Sequence, residues 1–170
     1  MRRFKIAIII CLISAAAYAQ GVPVGEIQPD FTATDMHGEQ VSLSALRGKV
    51  VVLNLWFINC PNCLAEIKEL NGLADEYKGR DDIVFLAPAA SGQAELQAFL
   101  KKHPFKYRIV PDAAALILSK FGIAAPNGEL YVLFPMHIVI DRDGKLTVSE
   151  RGAKGIAAVR SEIKRLLPRN

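Results

Sequence analysis

Val50-Val51-Val52-Leu53-Asn54-Leu55-Trp56-Phe57-Ile58-Asn59-Cys60-Pro61-Asn62-Cys63-Leu64-Ala65-Glu66-Ile67 changes its hydrophobic period once, at Pro61. Residues 50–57 form a near-continuous apolar run rich in β-branched side chains, the pattern of a central strand buried on both faces. After Pro61, Leu64, Ile67, Leu70, Leu73, Ala74 and Tyr77 recur on one face, while Glu66, Lys68, Glu69, Asp75, Glu76 and Lys78 take the other. An amphipathic helix is therefore predicted from Pro61 to near Gly79. Between strand and helix lies a cysteine pair, Cys60 and Cys63.

Working outward, residues 31–43 read as a hairpin turning at His37-Gly38, and residues 44–48 as a short helical turn. A second buried strand is predicted at 83–87, and a helix at 93–102 behind Ser91-Gly92. A short strand at 108–110 follows, then a helix capped by Asp112 and stopped by Gly122. Pro126-Asn127-Gly128 marks a turn, and the chain becomes extended near Leu130. Residues 136–140 and 145–149 form an antiparallel pair joined by Asp141-Arg142-Asp143-Gly144, and residues 154–167 close the chain as a helix with Ile156, Val159, Ile163 and Leu166 inward. Strand-helix-strand units followed by a hairpin and helix indicate an α/β class, a mixed central sheet with helices on both faces.

The chain has 170 residues, 51% of them hydrophobic and 22% charged, which fits one globular domain and excludes disorder and collagen. Its formal charge of +4 arises at one end, because three of the 21 basic residues, Arg2, Arg3 and Lys5, have no acid nearby. An uncharged stretch, residues 6–19, follows and ends in Ala17-Tyr18-Ala19. That layout is a secretory signal peptide cleaved after Ala19, leaving residues 20–170 as the domain; an uncleaved anchor facing the periplasm, or a lipoprotein through Cys11, is the alternative. Without the leader, 18 basic side chains face 17 acidic ones, so the formal charge is near +1 and no basic tract remains for nucleic acid. Residues 20–30, rich in Gly and Pro, read as a lead-in segment.

Each residue of Cys60-Pro61-Asn62-Cys63 suits the strand-to-helix junction. Pro fits the first helical position, where its missing N–H would be unpaired anyway. Cys60 then stands at the N-cap, where free amides and the helix dipole stabilise a thiolate. Cys63, one turn in, is close enough to close a disulfide and more shielded. Half of a zinc site, a structural disulfide and inert thiols are the competing readings. Zinc needs about four ligands, and His37, His103 and His137 are scattered singly. A structural disulfide across two residues would constrain the unfolded chain little.

Pro29-Asp30-Phe31, Val41-Ser42-Leu43, Leu46-Arg47-Gly48-Lys49, residues 51–56, the Cys60 to Cys63 motif and Pro135-Met136-His137-Ile138-Val139-Ile140-Asp141 together resemble TlpA/ResA-like thioredoxin-fold thiol-disulfide oxidoreductases, in the AhpC/TSA-Redoxin superfamily. The resemblance implies a thioredoxin fold with an N-terminal β-hairpin extension. It implies an exported, periplasmic enzyme that exchanges a dithiol-disulfide with cysteine pairs of other proteins, without a cofactor, and is served by a membrane redox partner. By the same resemblance Cys60 is the nucleophile, Cys63 the resolving thiol and Pro135 the cis-proline beside the active site. Glu66, one turn beyond Cys63, could exchange a proton with the resolving thiol, although an exposed helical Glu is the plainer reading. Trp56, as a pocket wall, and Phe134, beside the reactive sulfur, are the expected substrate contacts.

The chain departs from that family in places. Asn59 stands where Trp is common, Phe134 where Thr or Val precedes the cis-proline, and Asn54 where thioredoxins keep a buried Asp. Ala89-Ala90-Ser91 lacks the acid that some relatives carry there, and the segment from Gly122 to Pro135 is longer than usual. Proton management therefore differs or uses water. His137 reads as a satisfied core histidine; Glu39, Arg47, Lys101 and Lys102 read as solvated charges.

Other functions remain to be weighed. A thiol peroxidase would place Thr or Ser three residues before its reactive cysteine, where this chain has Phe57. A copper chaperone would use both thiolates and His137 as soft ligands, and an interaction module would leave the pair idle. The leader makes a definite expectation for export: the intact mass of secreted protein should correspond to a chain beginning at Gln20, and a mass retaining residues 1–19 would overturn it.

Overall fold

The computed structural model describes residues 23–167. The expected leader, residues 1–19, lies outside the described residues. The elements are β1 (Thr32–Thr34), β2 (Gln40–Ser42), β3 (Val50–Leu55), α1 (Pro61–Glu76), β4 (Ile83–Pro88), α2 (Gln93–Leu100), β5 (Arg108–Val110), α3 (Ala114–Phe121), β6 (Ile123–Ala124), β7 (Leu130–Tyr131), β8 (Met136–Ile140), β9 (Leu146–Arg151) and α4 (Gly152–Leu166). A 3₁₀ turn, Ser44–Leu46, leads into β3. Among the described residues no helix is long and apolar enough to cross a membrane.

Five strands form one sheet in the order β5-β4-β3-β8-β9. Strands β3, β4 and β5 are parallel, whereas β8 runs antiparallel to β3 and to β9. β3 is central, and all six of its residues are buried, as its unbroken apolar run predicts. Its side chains alternate between two cores. Val50 and Val52, with Trp56 just beyond the strand, meet Ile67, Leu70 and Leu73 of α1 and Ile156, Val159 and Ile163 of α4. Val51, Leu53 and Leu55 meet Ile117 and Phe121 of α3 together with Phe31, Val41 and Leu43 around the N-terminal hairpin. The mixed α/β sheet with helices on both faces and the N-terminal hairpin extension are thus both present.

Three details differ from the sequence expectation. Asp112 does not cap α3: its backbone turns to φ +53, and its carboxylate accepts the Gln93 N–H at the start of α2, where Gly92 has no side chain to do so. α2 ends at Leu100 rather than at 102, and the Lys102 and His103 N–H groups both fold back to the Phe99 carbonyl. The segment between Gly122 and Pro135 is a small antiparallel hairpin of β6 and β7, not a turn with one extended arm.

The lead-in segment is docked rather than free. Gly25 and Gln28 donate to the carbonyls of Leu146 and Gly144, and Leu146 donates back to Glu26. Gly144, at the tip of the β8–β9 turn with φ +85, also lets Arg47 approach closely; a Cβ there would overlap its guanidinium.

The turn of the N-terminal hairpin lies against the edge strand β5 and satisfies one of its open carbonyls. Met36 N–H donates to the Ile109 carbonyl. Asp35, buried, accepts the His37 and Glu39 N–H groups and the Arg108 guanidinium at 2.6 Å. Asp35→Ala should cost about 1–3 kcal/mol, because it leaves two partly buried N–H donors and a partly solvated guanidinium without their acceptor. Asp35→Asn, which keeps an acceptor, should cost less. Urea unfolding of the two variants checks the order.

Candidate active site

The chain leaves β3 at Leu55 and enters α1 at Pro61, so Cys60 occupies the helix N-cap with extended backbone. Its sulfur accepts the Cys63 N–H at 3.2 Å, and the two cysteines are joined as a disulfide. A helix N-terminus offers unpaired N–H groups and a positive dipole end, both of which favour negative charge on that sulfur once the disulfide opens. Cys60 is 5% exposed and Cys63 2%, so Cys60 is the more accessible thiol, though both are shielded.

The loop before Cys60 is held from below. Ser91 Oγ accepts the Ile58 N–H at 3.0 Å, and the Ala90 N–H donates to the Trp56 carbonyl. The Ala89-Ala90-Ser91 loop, notable in sequence for lacking an acid, is thus what anchors the loop before the cysteines. A hydroxyl flanked by alanines just after a buried strand was the available signal.

Trp56 does not serve as expected. Its side chain is fully buried, packed against Phe99 at 5.8 Å and edge-on to Phe105 at 5.4 Å. A residue with no exposed surface cannot touch a substrate, so Trp56 is a floor beneath the cysteine loop rather than a contact. Phe134 is half-buried and lies edge-on to Phe57 at 5.2 Å. The Phe134–Pro135 bond is cis, the isomer implied by the family resemblance. Asn62, Glu66, Glu69, Phe134, Pro135 and Arg151 line a cleft of about 610 Å³ beside the cysteine helix.

Glu66 departs from its sequence assignment to the exposed face of α1. Its side chain is 13% exposed and meets His137 on β8, Oε2 to Nε2, at 3.1 Å. The other ring nitrogen, Nδ1, meets Asn54 Nδ2 at 3.2 Å. His137 is a satisfied buried histidine, as its position in an apolar strand implies, but its partners were not foreseen. Asn54 and His137 are directly paired in the β3–β8 register. Two polar residues in otherwise apolar strands were the trace of this pairing in the sequence.

Burial governs the charges here. It raises the Glu66 carboxyl above its ordinary value, with the neighbouring Glu69 adding to the effect. Burial also pushes the His137 imidazole down to about 4. The imidazole is therefore neutral at pH 7, and its contact with Glu66 is a hydrogen bond rather than an ion pair. An amide nitrogen only donates, so Asn54 Nδ2 gives its proton to Nδ1, and Nε2–H donates to the carboxylate. Among the described residues no cluster of three or more His, Cys, Asp or Glu could hold a metal ion.

The profile of the family described as Redoxin matches residues 23–167. The thiol-disulfide oxidoreductase ResA of Bacillus thuringiensis (strain Al Hakam) is 25% identical over 174 residues, covering 97% of this chain and 96% of that protein. The thioredoxin-like protein YneN of Bacillus subtilis (strain 168) is 28% identical over 127 residues, covering 73% and 69%. Among solved structures, a candidate protein disulfide isomerase from Bacteroides thetaiotaomicron superposes with a TM-score of 0.73 at 28% identity, over 86% of this chain and 91% of that one. The thioredoxin domain of a thiol-disulfide oxidoreductase from Bacteroides vulgatus gives 0.67 at 21%, over 85% and 100%.

The depressed His137 value sets a pH dependence of stability. Folded, the imidazole stays neutral down to about 4; unfolded, it takes a proton near its ordinary 6.5. Its contribution is present above pH 6.5 and is lost as pH falls toward 4. Relative to a His137→Leu variant, the wild type should lose about 2 kcal/mol between pH 7 and pH 5, read from urea unfolding at both pH values.

Proposed function

The chain belongs to the Redoxin family, and we propose that its Cys60–Cys63 pair is the redox centre of a protein thiol-disulfide oxidoreductase. The observation that carries this reading is the closed Cys60–Cys63 disulfide at the N-terminus of α1, beside a cleft that holds Pro135. The protein acts on cysteines of other proteins. In the reducing direction, the Cys60 thiolate attacks a substrate disulfide and forms a mixed disulfide. Cys63 then attacks Cys60, its sulfur joining the Cys60 sulfur as the bond to the substrate breaks. The substrate leaves as a dithiol and the protein keeps the disulfide, so two electrons pass to the substrate. Reversed, the same steps oxidise a dithiol.

Roles for the surrounding residues follow from their positions. Glu66 takes the proton that Cys63 loses; i,i+3 neighbours on a helix have Cβ atoms about 5–6 Å apart. Phe134 and Pro135 border the cleft an extended substrate segment would enter. Removal of residues 1–19, a periplasmic location for residues 20–170 and a membrane redox partner belong to the same reading. Their support is the basic, apolar and Ala-x-Ala order of the leader and the need to recharge a reductase in an oxidising compartment. The copper-chaperone alternative is disfavoured by His137, whose two ring nitrogens are already engaged by Asn54 and Glu66.

Cys60→Ser should abolish dithiothreitol-driven reduction of insulin, whereas Cys63→Ser should retain attack and accumulate mixed disulfides, resolved on non-reducing gels. Exchange that persists in Cys60→Ser would overturn the assignment of the nucleophile, and the absence of any adduct on Cys63→Ser would overturn the resolving step.

A further inference from the structure

Asn54, His137 and Glu66 form a continuous hydrogen-bonded line from the middle of the sheet to the cysteine helix. Its two inner members are almost fully buried, at 2% and 1% exposure. A buried polar group is costly unless satisfied, and an apolar pair at these two strand positions would pack without that cost. The line ends one helical turn from Cys63, on a carboxylate that also lines the cleft with Pro135.

We propose that His137 is a positioning residue for thiol-disulfide exchange: clamped between Asn54 and Glu66, it holds the Glu66 carboxylate in the state that accepts the Cys63 proton. The proposal rests on the oxidoreductase reading and on Glu66 as the proton acceptor.

The geometry restricts both ends of the clamp. The ring cannot swing toward α4, because Gly155 is packed against it so tightly that a Cβ there would fall 2.5 Å from His137 Cδ2. Glu66 Oε2 is tied to Nε2, while Oε1 lies on the Gly152 side, 3.8 Å from where a Cβ of that residue would be. One carboxylate oxygen is thus pinned and the other is left to receive a proton. In the resolving step Cys63 gives its proton to Glu66. The Cys63–Cys60 bond forms as the Cys60–substrate bond breaks, and the departing substrate thiolate takes its electron pair and later a proton from water.

An Nε2–H donor favours the ionised carboxylate, opposing the burial that disfavours it. The charged and titratable groups around this line are Glu69 on α1, Arg151 across the cleft and Glu150, which β9 sets opposite His137; Cys63 lies one turn before Glu66 on α1. The line also tolerates the proton it is given. When Glu66 is protonated on Oε1, Oε2 still accepts the Nε2–H, so neither the imidazole tautomer nor the Asn54 amide has to change. An Asp at 54 can only accept when ionised and would lock a single tautomer.

The test is the pH profile of the resolving step, followed from pH 5 to 9 with a protein disulfide, in wild type, His137→Leu, Glu66→Gln and the double variant. Loss of a hydrogen bond to a charged group should move the acid limb in His137→Leu upward by about one to two pH units. Glu66→Gln should remove the limb, and the double variant should match it. An unmoved limb in folded His137→Leu, or a further change in the double variant, would overturn the positioning role. Nitrogen-15 spectra of the wild-type imidazole decide the case even if His137→Leu does not fold. The neutral Nε2–H form should persist between pH 6 and 8, with an Nε2 shift that follows the limb; a charged ring, or one indifferent to it, would sink the proposal. A wild type that does not exchange at all would instead overturn the activity reading, leaving the spectra to describe a structural network.

Discussion

Burial of β3 on both faces is the constraint on which the rest depends. A strand at the centre of a five-stranded sheet has no solvent side, so each of its six residues must be matched by a partner above or below. Five of them meet that demand with apolar side chains. Asn54 is the exception, and its side chain reaches the only other buried polar residue of the paired strand, His137. The same strand delivers the chain directly to the N-terminus of α1, so the sheet's rigidity is passed to Cys60 through a loop only five residues long.

That loop would be free to move if nothing lay beneath it. Trp56 fills the space below with Phe99 and Phe105 around it, and Ser91 ties down Ile58 from the β4 side. The aromatic floor is therefore better understood as support for the cysteines than as a surface for substrates. The open cleft lies along the wall formed by Phe134, Pro135 and the start of α4, where the proposed substrate contacts are placed.

Charge is arranged with the same economy. A carboxylate drawn into a partly buried site resists ionisation, and a neighbouring acid strengthens the resistance. A neutral imidazole donor is a partner that opposes this effect without adding a second buried charge. Burial keeps His137 neutral, so the feature that penalises Glu66 also secures the partner that relieves it.

Much of this was legible in the amino-acid sequence because it is encoded locally. The change of period at Pro61, the apolar run of β3, the proline at the first turn of α1 and the cysteine at its cap are each contained within one continuous stretch of chain, and the structure has each of them. The thioredoxin-like order of elements followed from those periods and from the resemblance they supported. Other features were decided only when distant segments met. Asp112 caps a helix 19 residues before it, Asp35 binds an arginine 73 residues away, and Glu66 turns inward because His137, 71 residues on, is there to receive it. Periodicity assigned Glu66 to the solvent face, since a helix pattern gives the side on which a residue sits but not what the neighbouring strand presents to it. The rotation of α1 against β8, and the register that sets Asn54 opposite His137, are properties of the packed sheet and helices, and no window of sequence contains both partners.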